Sequence, residues 1–503
     1  MATANRGTVK DGTSNGPNGQ AKTGTTGLAK AAAILFWIGV WQAASMAVNS
    51  EFVLAGPQDA AAALMRLLPS LEFWQSVGFS LIRIACGCAV AYVFAVPLAL
   101  IAAAQPAIRT LLQPAMGAIK GTPIACTVVA LLIWFGSKNI SAIAVGLAVL
   151  PGVYFGVLQG LDQADPRMRD LFRTFNAPAP VRFLAQTWPA ILPYLRAASQ
   201  SVLGMSWKAG VAAELIGVPT GSVGERIYQT KLLLETADLF AWTISVVALA
   251  WLFEHLALRA LDATWPASAK LALRFRRHNP ASPSITELSA TGPLTTSKSP
   301  LLTASNLACG HDGSTVCGPF DFQLRAGAIA CVEGPSGAGK TTLLDTLAGA
   351  LAPATGHIDC QNDSDAIARV YQDTCLVDDL SAIDNVLLVA SADLSPQSAR
   401  KRLEELLPTN AVDVPARTLS GGQRRRVELA RALAATSPLV LLDEPFTGLD
   451  AHARKLAQAH ILAHMENRAV LISAHDAATL DLPLDVTISV HPARHTNSQA
   501  ARP

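Results

Sequence analysis

The sequence has 503 residues, of which 51% are hydrophobic and 15% are charged. Its 39 Lys and Arg nearly balance 37 Asp and Glu, which leaves a formal net charge of +2. This composition is too apolar for a soluble enzyme of this length, and no nucleic-acid partner is expected. The 8 cysteines show neither metal-ligand spacing nor a disulfide framework.

The apolar excess lies before about residue 265, after a tail at 1–27 that is rich in Gly, Thr, Asn and Lys. The tail is typical of a disordered cytoplasmic segment and needs no cleavable signal. Runs of about 20 apolar residues are long enough to cross a bilayer as helices. We therefore expect a membrane domain at 28–265 with six spans, at 28–48, 77–104, 111–135, 140–161, 197–218 and 239–261. The alternative is that some of these helices are buried in a large soluble core.

Basic residues cluster at those ends of the spans that would share one side of the membrane. They are Arg6, Lys10, Lys22, Lys30, Arg109, Arg167, Arg169, Arg173, Arg182, Arg274, Arg276 and Arg277. Cytoplasmic loops carry such an excess. The pattern predicts a multi-pass membrane protein with the N-terminus and everything after the last span in the cytoplasm.

The longest inside loop, at 162–194, contains a stretch from Asp170 through Leu171, Phe172 and Arg173 to Asn176. It resembles the coupling-helix segment of importer permeases, although Asp170 stands for the usual Glu and Asn176 for a glycine. The resemblance implies that this segment contacts the second domain of the chain, at 301–496. The contacting residues would be Asp170, Phe172, Arg173 and Asn176, with the Phe172 side chain packed beside Gln372 of that domain. The alternative is an amphipathic helix that lies on the membrane surface.

Lys208 and Glu214 lie inside the fifth predicted span. Ionisable groups at membrane depth are costly enough to indicate function. Six residues apart, they fall on different faces of a helix and are not expected to pair within it. For Lys208 two interpretations stay open: a charge that attracts an anionic substrate, or a partner that only fixes helix packing.

Further motifs in the front half carry a family likeness. They are Trp134-Phe135-Gly136, Pro151, Asp165-Pro166, Trp207, Ala213-Glu214 and the run from Asp238 to Trp242. Together they look like permeases of the nitrate, sulfonate and taurine importer group. The resemblance implies an α-helical type I importer permease (MetI-like) in the bacterial plasma (inner) membrane. It further implies a small anionic solute or a thiamine-type precursor, and an external, periplasmic or extracellular, solute-binding protein.

A linker rich in Pro, Ser and Thr at 266–300 leads to a second domain at 301–496. There a phosphate loop follows an apolar run at 328–332 and precedes helix formers at 342–348, as phosphate binding at a helix N-terminus requires. Its backbone amides converge on an anion and Lys340 adds a point charge. The predicted nucleotide-binding residues are Gly334, Pro335, Ser336, Gly337, Ala338, Gly339, Lys340, Thr341 and Thr342.

A second buried strand at 439–442 ends in Asp443 and Glu444. Parallel sheets present functional carboxylates at this edge. Asp443 and Thr341 are expected to hold Mg²⁺, and Glu444 to polarise the attacking water. The fold class is therefore an α/β P-loop NTPase domain behind a helical membrane domain.

The run Leu419-Ser420-Gly421-Gly422-Gln423 resembles the signature of the ATP-binding cassette (ABC) family, and residues 301–495 look like its nucleotide-binding domain. The resemblance implies ATP and Mg²⁺ as ligands and a homodimer in which Ser420, Gly421, Gly422 and Gln423 reach ATP on the opposite subunit. It further implies that Gln372 senses magnesium and is catalytic, that His475 fixes the γ-phosphate, and that Asp450 crosses the dimer.

One departure concerns the base of the nucleotide. The family usually stacks adenine on an aromatic residue about 25 residues before the phosphate loop, and here His311 is the only ring nearby. Since base stacking is worth about 1–3 kcal/mol, we expect weaker or less base-selective binding.

These motifs favour an ATP-driven importer half with permease and ATPase in one chain. Two alternatives remain: an exporter half-transporter, and a membrane-anchored ATPase that moves nothing. The short connection near Gln105 argues against the exporter, because exporters extend long loops into the cytoplasm.

Overall fold

The structure is a computed structural model that describes residues 27–50, 52–174, 177–278, 300–311, 314–360, 367–390 and 394–491. Most of the predicted tail, residues 279–299 of the predicted linker and Asn176 lie outside this part of the chain.

The regular secondary structure in the described residues of the front half is entirely helical. Its helices are α1 (Gly27–Val48), α2 (Pro57–Leu67), α3 (Leu71–Ala104), α4 (Pro106–Gly121), α5 (Ile124–Phe135), α6 (Ile140–Asp162), α7 (Pro166–Thr174), α8 (Ala179–Arg182), α9 (Trp188–Gly217), α10 (Val223–Leu232) and α11 (Thr236–His278). A π-helical turn, Phe183–Thr187, joins α8 to α9.

Four of these helices, α1, α3, α6 and α11, are long and apolar enough to cross a membrane. The broken pair of α4 and α5 raises the number to five if it counts as one span. The six predicted spans are therefore not confirmed. The predicted span at 197–218 falls within α9, where Arg196, Lys208 and Glu214 lower the hydropathy.

The predicted span at 111–135 is not a single helix, because one helix ends at Gly121 and a new one begins at Ile124. Thr122 precedes Pro123 and adopts an extended conformation, with φ −77° and ψ 128°. A residue before proline is disfavoured in the helical region, since the proline ring crowds its backbone. Hydropathy alone passes over such a break.

The last helix, α11, also departs from the expectation. It continues through residues 266–278, which were predicted to open the linker. Ala269, Ala272 and Leu273 are buried and repeat at helical spacing, so this end of the helix has an apolar face that is covered.

The back half is an α/β fold. Its helices are α12 (Lys340–Leu347), α13 (Ala382–Leu387), α14 (Pro396–Glu404), α15 (Gly421–Ala434) and α16 (Ala451–His464). Its strands are β1 (Leu302–His311), β2 (Ser314–Leu324), β3 (Ile329–Glu333), β4 (Thr355–Cys360), β5 (Ile367–Val370), β6 (Leu439–Leu442), β7 (Ala469–Ala474) and β8 (Val486–Ser489).

Five strands form a parallel sheet in the order β5-β6-β7-β3-β8, and three form an antiparallel sheet in the order β2-β1-β4. All four residues of β6 are buried, as expected for a parallel strand covered by helices on both faces. This order places the carboxyl ends of β6, β7 and β3 side by side, and the loops that follow these strands meet there.

The described residues divide into two compact units. The first comprises residues 27–84 with Ala125–Ser141 and Gly210–Leu249. The second comprises Ala85–Ile124, Ala142–Ala209 and the described residues from Ala250 onward. The second unit thus joins part of the helical half to the whole α/β fold.

Candidate functional site: a phosphate loop facing two carboxylates

The phosphate loop runs from the end of β3 into α12, as its sequence predicts. Gly337 and Gly339 have φ of +79° and +101°, which favour glycine. A Cβ atom on Gly339 would also lie only 2.9 Å from Cys317 Sγ. The glycines therefore allow both the turn and its close approach to β2.

Lys340 begins α12 with a side chain that is only 6% exposed. Its Nζ donates hydrogen bonds to two carbonyls of its own loop, Gly334 O at 2.8 Å and Pro335 O at 3.2 Å. These partners are neutral, so an anion in the loop would compete with them on favourable terms.

Asp443 is buried at the end of β6. Its Oδ2 accepts a hydrogen bond from Thr341 Oγ1 at 2.9 Å, and its Oδ1 accepts one from Ser473 Oγ at 2.6 Å. Since Ser473 lies on β7, three neighbouring segments fix this carboxylate. The two residues predicted to hold a metal ion, Thr341 and Asp443, are in direct contact.

Glu444 follows with φ +45°, a backbone conformation that non-glycine residues rarely adopt and that clusters at functional sites. Its Oε1 lies 3.7 Å from Lys340 Nζ and 3.7 Å from His475 Nε2. The backbone amide of Glu444 donates a hydrogen bond to Ser473 Oγ at 2.9 Å. The structure therefore brings the predicted catalytic residues Glu444 and His475 beside the phosphate loop.

The signature run begins α15 with a capping box. Gln423 N donates to Ser420 Oγ at 3.3 Å, and Ser420 N donates to Gln423 Oε1 at 2.9 Å. Ser420 and Gly421 are exposed. In the described residues, no hydrogen bond or ion pair joins this helix end to the phosphate loop of the same chain. Asp450 is the N-cap residue of α16, and its Oδ1 accepts a hydrogen bond from Ala453 N at 2.7 Å.

Sequence reasoning missed a buried arginine. Arg425 donates to the backbone carbonyls of Tyr371, Gln372 at 2.6 Å, Glu444 at 3.3 Å and Asp443 at 3.4 Å. One guanidinium thus ties the loop of Gln372 and the carboxylate pair to the signature helix. The side chain of Gln372 is exposed, and only its backbone carbonyl accepts a hydrogen bond from Arg425.

Arg425 stands between Arg424 and Arg426, and such a run normally indicates a solvated face. The available signal was Glu428, which lies one helical turn away. Glu428 is fully buried 3.2 Å from Arg425, and it accepts a hydrogen bond from the Cys375 amide. Burial raises the pKa of Glu428, while the charge of Arg431 opposes this shift.

The cytoplasmic-loop helix α7 packs into the hydrophobic core of the α/β fold. Leu171 and Phe172 are 2% and 1% exposed and share one buried cluster with Tyr371 and Cys375. Arg167 Nη1 donates to Asp373 Oδ2 at 2.7 Å, and this hydrogen bond raises the pKa of Arg167.

The other predicted coupling residues differ in their exposure and contacts. Arg173 is exposed. Burial raises the pKa of Tyr371, and the nearby charge of Asp170 contributes to the shift.

Within the first unit, Glu214 is fully buried. Its Oε2 accepts hydrogen bonds from Ser80 Oγ at 2.7 Å and from Gly224 N at 3.2 Å. Ser80 Oγ in turn accepts from Val223 N at 3.0 Å. Glu214 and Ser80 therefore cap the N-terminus of α10, where a helix favours negative charge. Lys208, in the second unit, is exposed.

Two regions of the chain match known families. Residues 317–447 match the family described as ABC transporter. Residues 95–264 match the binding-protein-dependent transport system inner membrane component.

Single proteins show the same likeness over part of the chain. The cytochrome c biogenesis ATP-binding export protein CcmA of Hyphomonas neptunium is 37% identical over 196 residues, which are 39% of this chain and all of that protein. An ATP-dependent lipid A-core flippase of Ralstonia nicotianae is 33% identical over 34% of this chain and 33% of its own length. The solved structure of a putative ABC transporter ATP-binding protein from Pyrococcus furiosus has 24% identity and a TM-score of 0.34, over 38% of this chain and 96% of its own.

Proposed function

The chain belongs to the ABC transporter family, with permease and ATPase fused in one polypeptide that hydrolyses ATP to drive transport, and we propose that it works as an importer. The proposed cargo is a small anionic solute of the nitrate, sulfonate or taurine kind, or a thiamine-type precursor. A separate solute-binding protein outside the bacterial inner membrane would deliver it.

The observation that carries the coupling of ATP hydrolysis to transport is the burial of α7 in the ATPase core. Phe172 lies in one cluster with Tyr371, and Arg167 bonds Asp373, so α7 holds the segment on both sides of Gln372. Arg425 links the same segment to Glu444. A change at the nucleotide therefore has a continuous packed route to the cytoplasmic loop of the permease.

ATP is the substrate of the site, and Mg²⁺ fits its donors. Thr341 and Asp443 offer a hydroxyl and a carboxylate in contact, and Mg²⁺ binds oxygen ligands together with substrate phosphates. We propose Gln372 as a further ligand. Bound there, the ion would neutralise charge on the phosphate oxygens. Lys340 would exchange its two carbonyl partners for phosphate, Glu444 would orient the attacking water, and His475 would hold the terminal phosphate.

The proposed working unit is a homodimer. Ser420 and Gly421 are exposed at a helix N-terminus, which is suited to an anion, yet their hydrogen bonds stay within their own helix end. We infer that this surface receives the ATP bound to the phosphate loop of a second copy. Asp450 would lie at the same junction.

Import rather than export rests on the front half. The matched permease family is named for binding-protein-dependent transport. In addition, a single residue, Gln105, connects α3 to α4, which leaves no long cytoplasmic extension there. We propose six crossings, made by α1, α3, the α4 and α5 pair, α6, α9 and α11, with both chain ends in the cytoplasm.

Export is the competing function, because the named relatives include an export protein and a flippase. Those alignments cover less than 40% of this chain, so they do not decide the direction.

Proteoliposomes with the ATPase outside distinguish the possibilities. Import predicts that a binding protein captured from the periplasm and sealed inside the vesicles stimulates hydrolysis, and that its ligand then leaves the lumen. Accumulation of a solute in the lumen would show export instead. Hydrolysis that ignores every lumenal protein and ligand would favour an anchored ATPase.

A further inference from the structure

A second polar cluster lies apart from the ATP site, at the ends of α14 and α16. His460 and His464 are one turn apart on α16, and Glu405 caps the C-terminus of α14. Glu405 Oε2 lies 2.7 Å from His460 Nδ1 and 2.8 Å from His464 Nε2. Two ring nitrogens thus converge on a single carboxylate oxygen.

Such convergence is expected of ligands that share a metal ion. The three ligand atoms all lie within 4.8 Å of one another, and the ring centroids of His460 and His464 are 4.3 Å apart. Imidazole and carboxylate groups suit zinc and its neighbours among the divalent transition metals. We propose that Glu405, His460 and His464 form a binding site for a divalent transition-metal ion such as Zn²⁺.

The two contacts to Glu405 need only a small adjustment. Zinc binds His nitrogen at about 2.0–2.1 Å, so tetrahedral ligand atoms lie about 3.3 Å apart and the present contacts must widen by about 0.5 Å. The Glu405 side chain is 48% exposed and has room to withdraw. His464 is 17% exposed, so water reaches the site and can supply a fourth ligand.

The charges around the cluster are mixed. Arg402 adds a positive charge that opposes a cation, but its Nη2 lies 3.8 Å from Glu466 Oε1, which offsets part of this effect. The guanidinium of Arg468 donates hydrogen bonds to backbone carbonyls, including that of His464. The nearby arginines therefore do not occupy the carboxylate of Glu405 themselves.

Ligation would connect two segments of the ATPase. The α14 end lies ahead of the signature helix, and α16 follows Asp450. A metal ion would fix the distance between these segments and stabilise the domain. This role is additional to transport and does not depend on its direction.

The test is a titration of the full-length, chelator-treated, nucleotide-free protein with Zn²⁺, followed by calorimetry and by thermal unfolding. We expect a site with a stoichiometry of one per chain that raises the unfolding temperature. His464→Ala and Glu405→Gln should each weaken this site at least about tenfold. Glu405→Gln keeps the side-chain shape, so it serves as the test if His464→Ala folds poorly.

The matched control is His452→Ala, which removes an exposed histidine from the same helix. It should leave zinc affinity and the thermal shift unchanged. Equal zinc binding by all four proteins would overturn the proposal, as would the absence of any site in the wild-type chain. Either result would mean that the cluster is a hydrogen-bonded contact only.

Discussion

The ATP site and the Glu214 cluster each contain buried polar groups around a glutamate, but the hydrogen-bond partners of these groups differ. Lys340 is held by carbonyls of its own loop, and Glu444 Oε1 lies 3.7 Å from Lys340 Nζ and 3.7 Å from His475 Nε2. Glu214 Oε2 instead accepts from a hydroxyl and from a backbone amide at the start of α10.

The partners of a buried charged group indicate whether the group can bind a ligand. Groups on loops beside a helix N-terminus can exchange neutral partners for a ligand. A carboxylate that satisfies backbone amides cannot leave them without a cost of about 1–3 kcal/mol for each unsatisfied group. We therefore assign nucleotide chemistry to the first cluster and architecture to the second.

The largest expected effect is on the ATP site. Lys340→Ala removes the charge that would bind the terminal phosphates, and ATPase activity should fall by about 10²-fold or more, by analogy with the loss of one donor to a developing charge. Steady-state hydrolysis by the purified protein measures this. Lys401→Ala, on the exposed surface of α14, is the control and should retain full activity. Similar activities in both variants would remove Lys340 from the mechanism.

Lys208→Met tests which of two ionisable residues of α9, Lys208 or Glu214, contacts the solute. Because Lys208 is exposed in the single chain whereas Glu214 is sealed, Lys208 is the better candidate for contact with an anionic solute. We expect uptake to fall to background while folding and ATP hydrolysis persist. Uptake assays with reconstituted protein test this, and unchanged uptake would leave Lys208 with a packing role.

Phe172→Ala tests the connection between the two halves. Truncation of a buried Phe costs about 3–5 kcal/mol, and here the loss falls on the α7 contact. The number of solutes transported per ATP hydrolysed should drop several-fold. Arg173→Ala, which alters an exposed neighbour, should change this ratio much less.

Cys375 provides a second measurement of the same contact. Its Sγ lies 4.0 Å from Met168 Sδ, and burial, opposed by the charge of Arg431, raises its pKa to about 12. The thiol should therefore stay protonated and resist alkylation at pH 8, but react faster in Phe172→Ala. Equal alkylation rates in the two proteins would show that α7 does not depend on Phe172 for its docking.

Glu214→Ala should have the smallest effect on activity. It leaves Ser80 and the amide of Gly224 without their acceptor, so the free energy of unfolding should fall by about 1–3 kcal/mol. The nucleotide affinity should not change. Glu235→Ala alters an exposed residue and is the control for thermal unfolding. A loss of transport by Glu214→Ala with full stability would contradict the architectural role.

Much of the ATPase half could be predicted because its signals are local. The strand at 439–442 and the loop ahead of Lys340 each occupy a short run whose residue types define both structure and chemistry. Arg425 could not be found in this way, since its partners are carbonyls that only the fold brings together. The same holds for Glu405 and His460, which lie 55 residues apart in sequence.

The front half was harder to predict for a different reason. Averaged hydropathy finds apolar helices but not their ends, so the break at Pro123 and the continuation of α11 to His278 were both missed. For α9 the apolar run at 197–218 predicts a span, but Arg196, Lys208 and Glu214 lower the hydropathy of the helix, and α9 is not among the four described helices that are long and apolar enough to cross a membrane.

In the proposed homodimer, two copies enclose ATP between the Lys340 loop of one and Ser420 of the other. The most direct test uses Glu444→Gln protein in which the exposed native cysteines are replaced. A Lys455→Cys substitution at an exposed position then carries the spin label. The distance between the labels on the two copies is then measured with and without ATP and magnesium. We expect nucleotide to shorten and narrow this distance distribution. An unchanged distribution at saturating ATP and magnesium would contradict it.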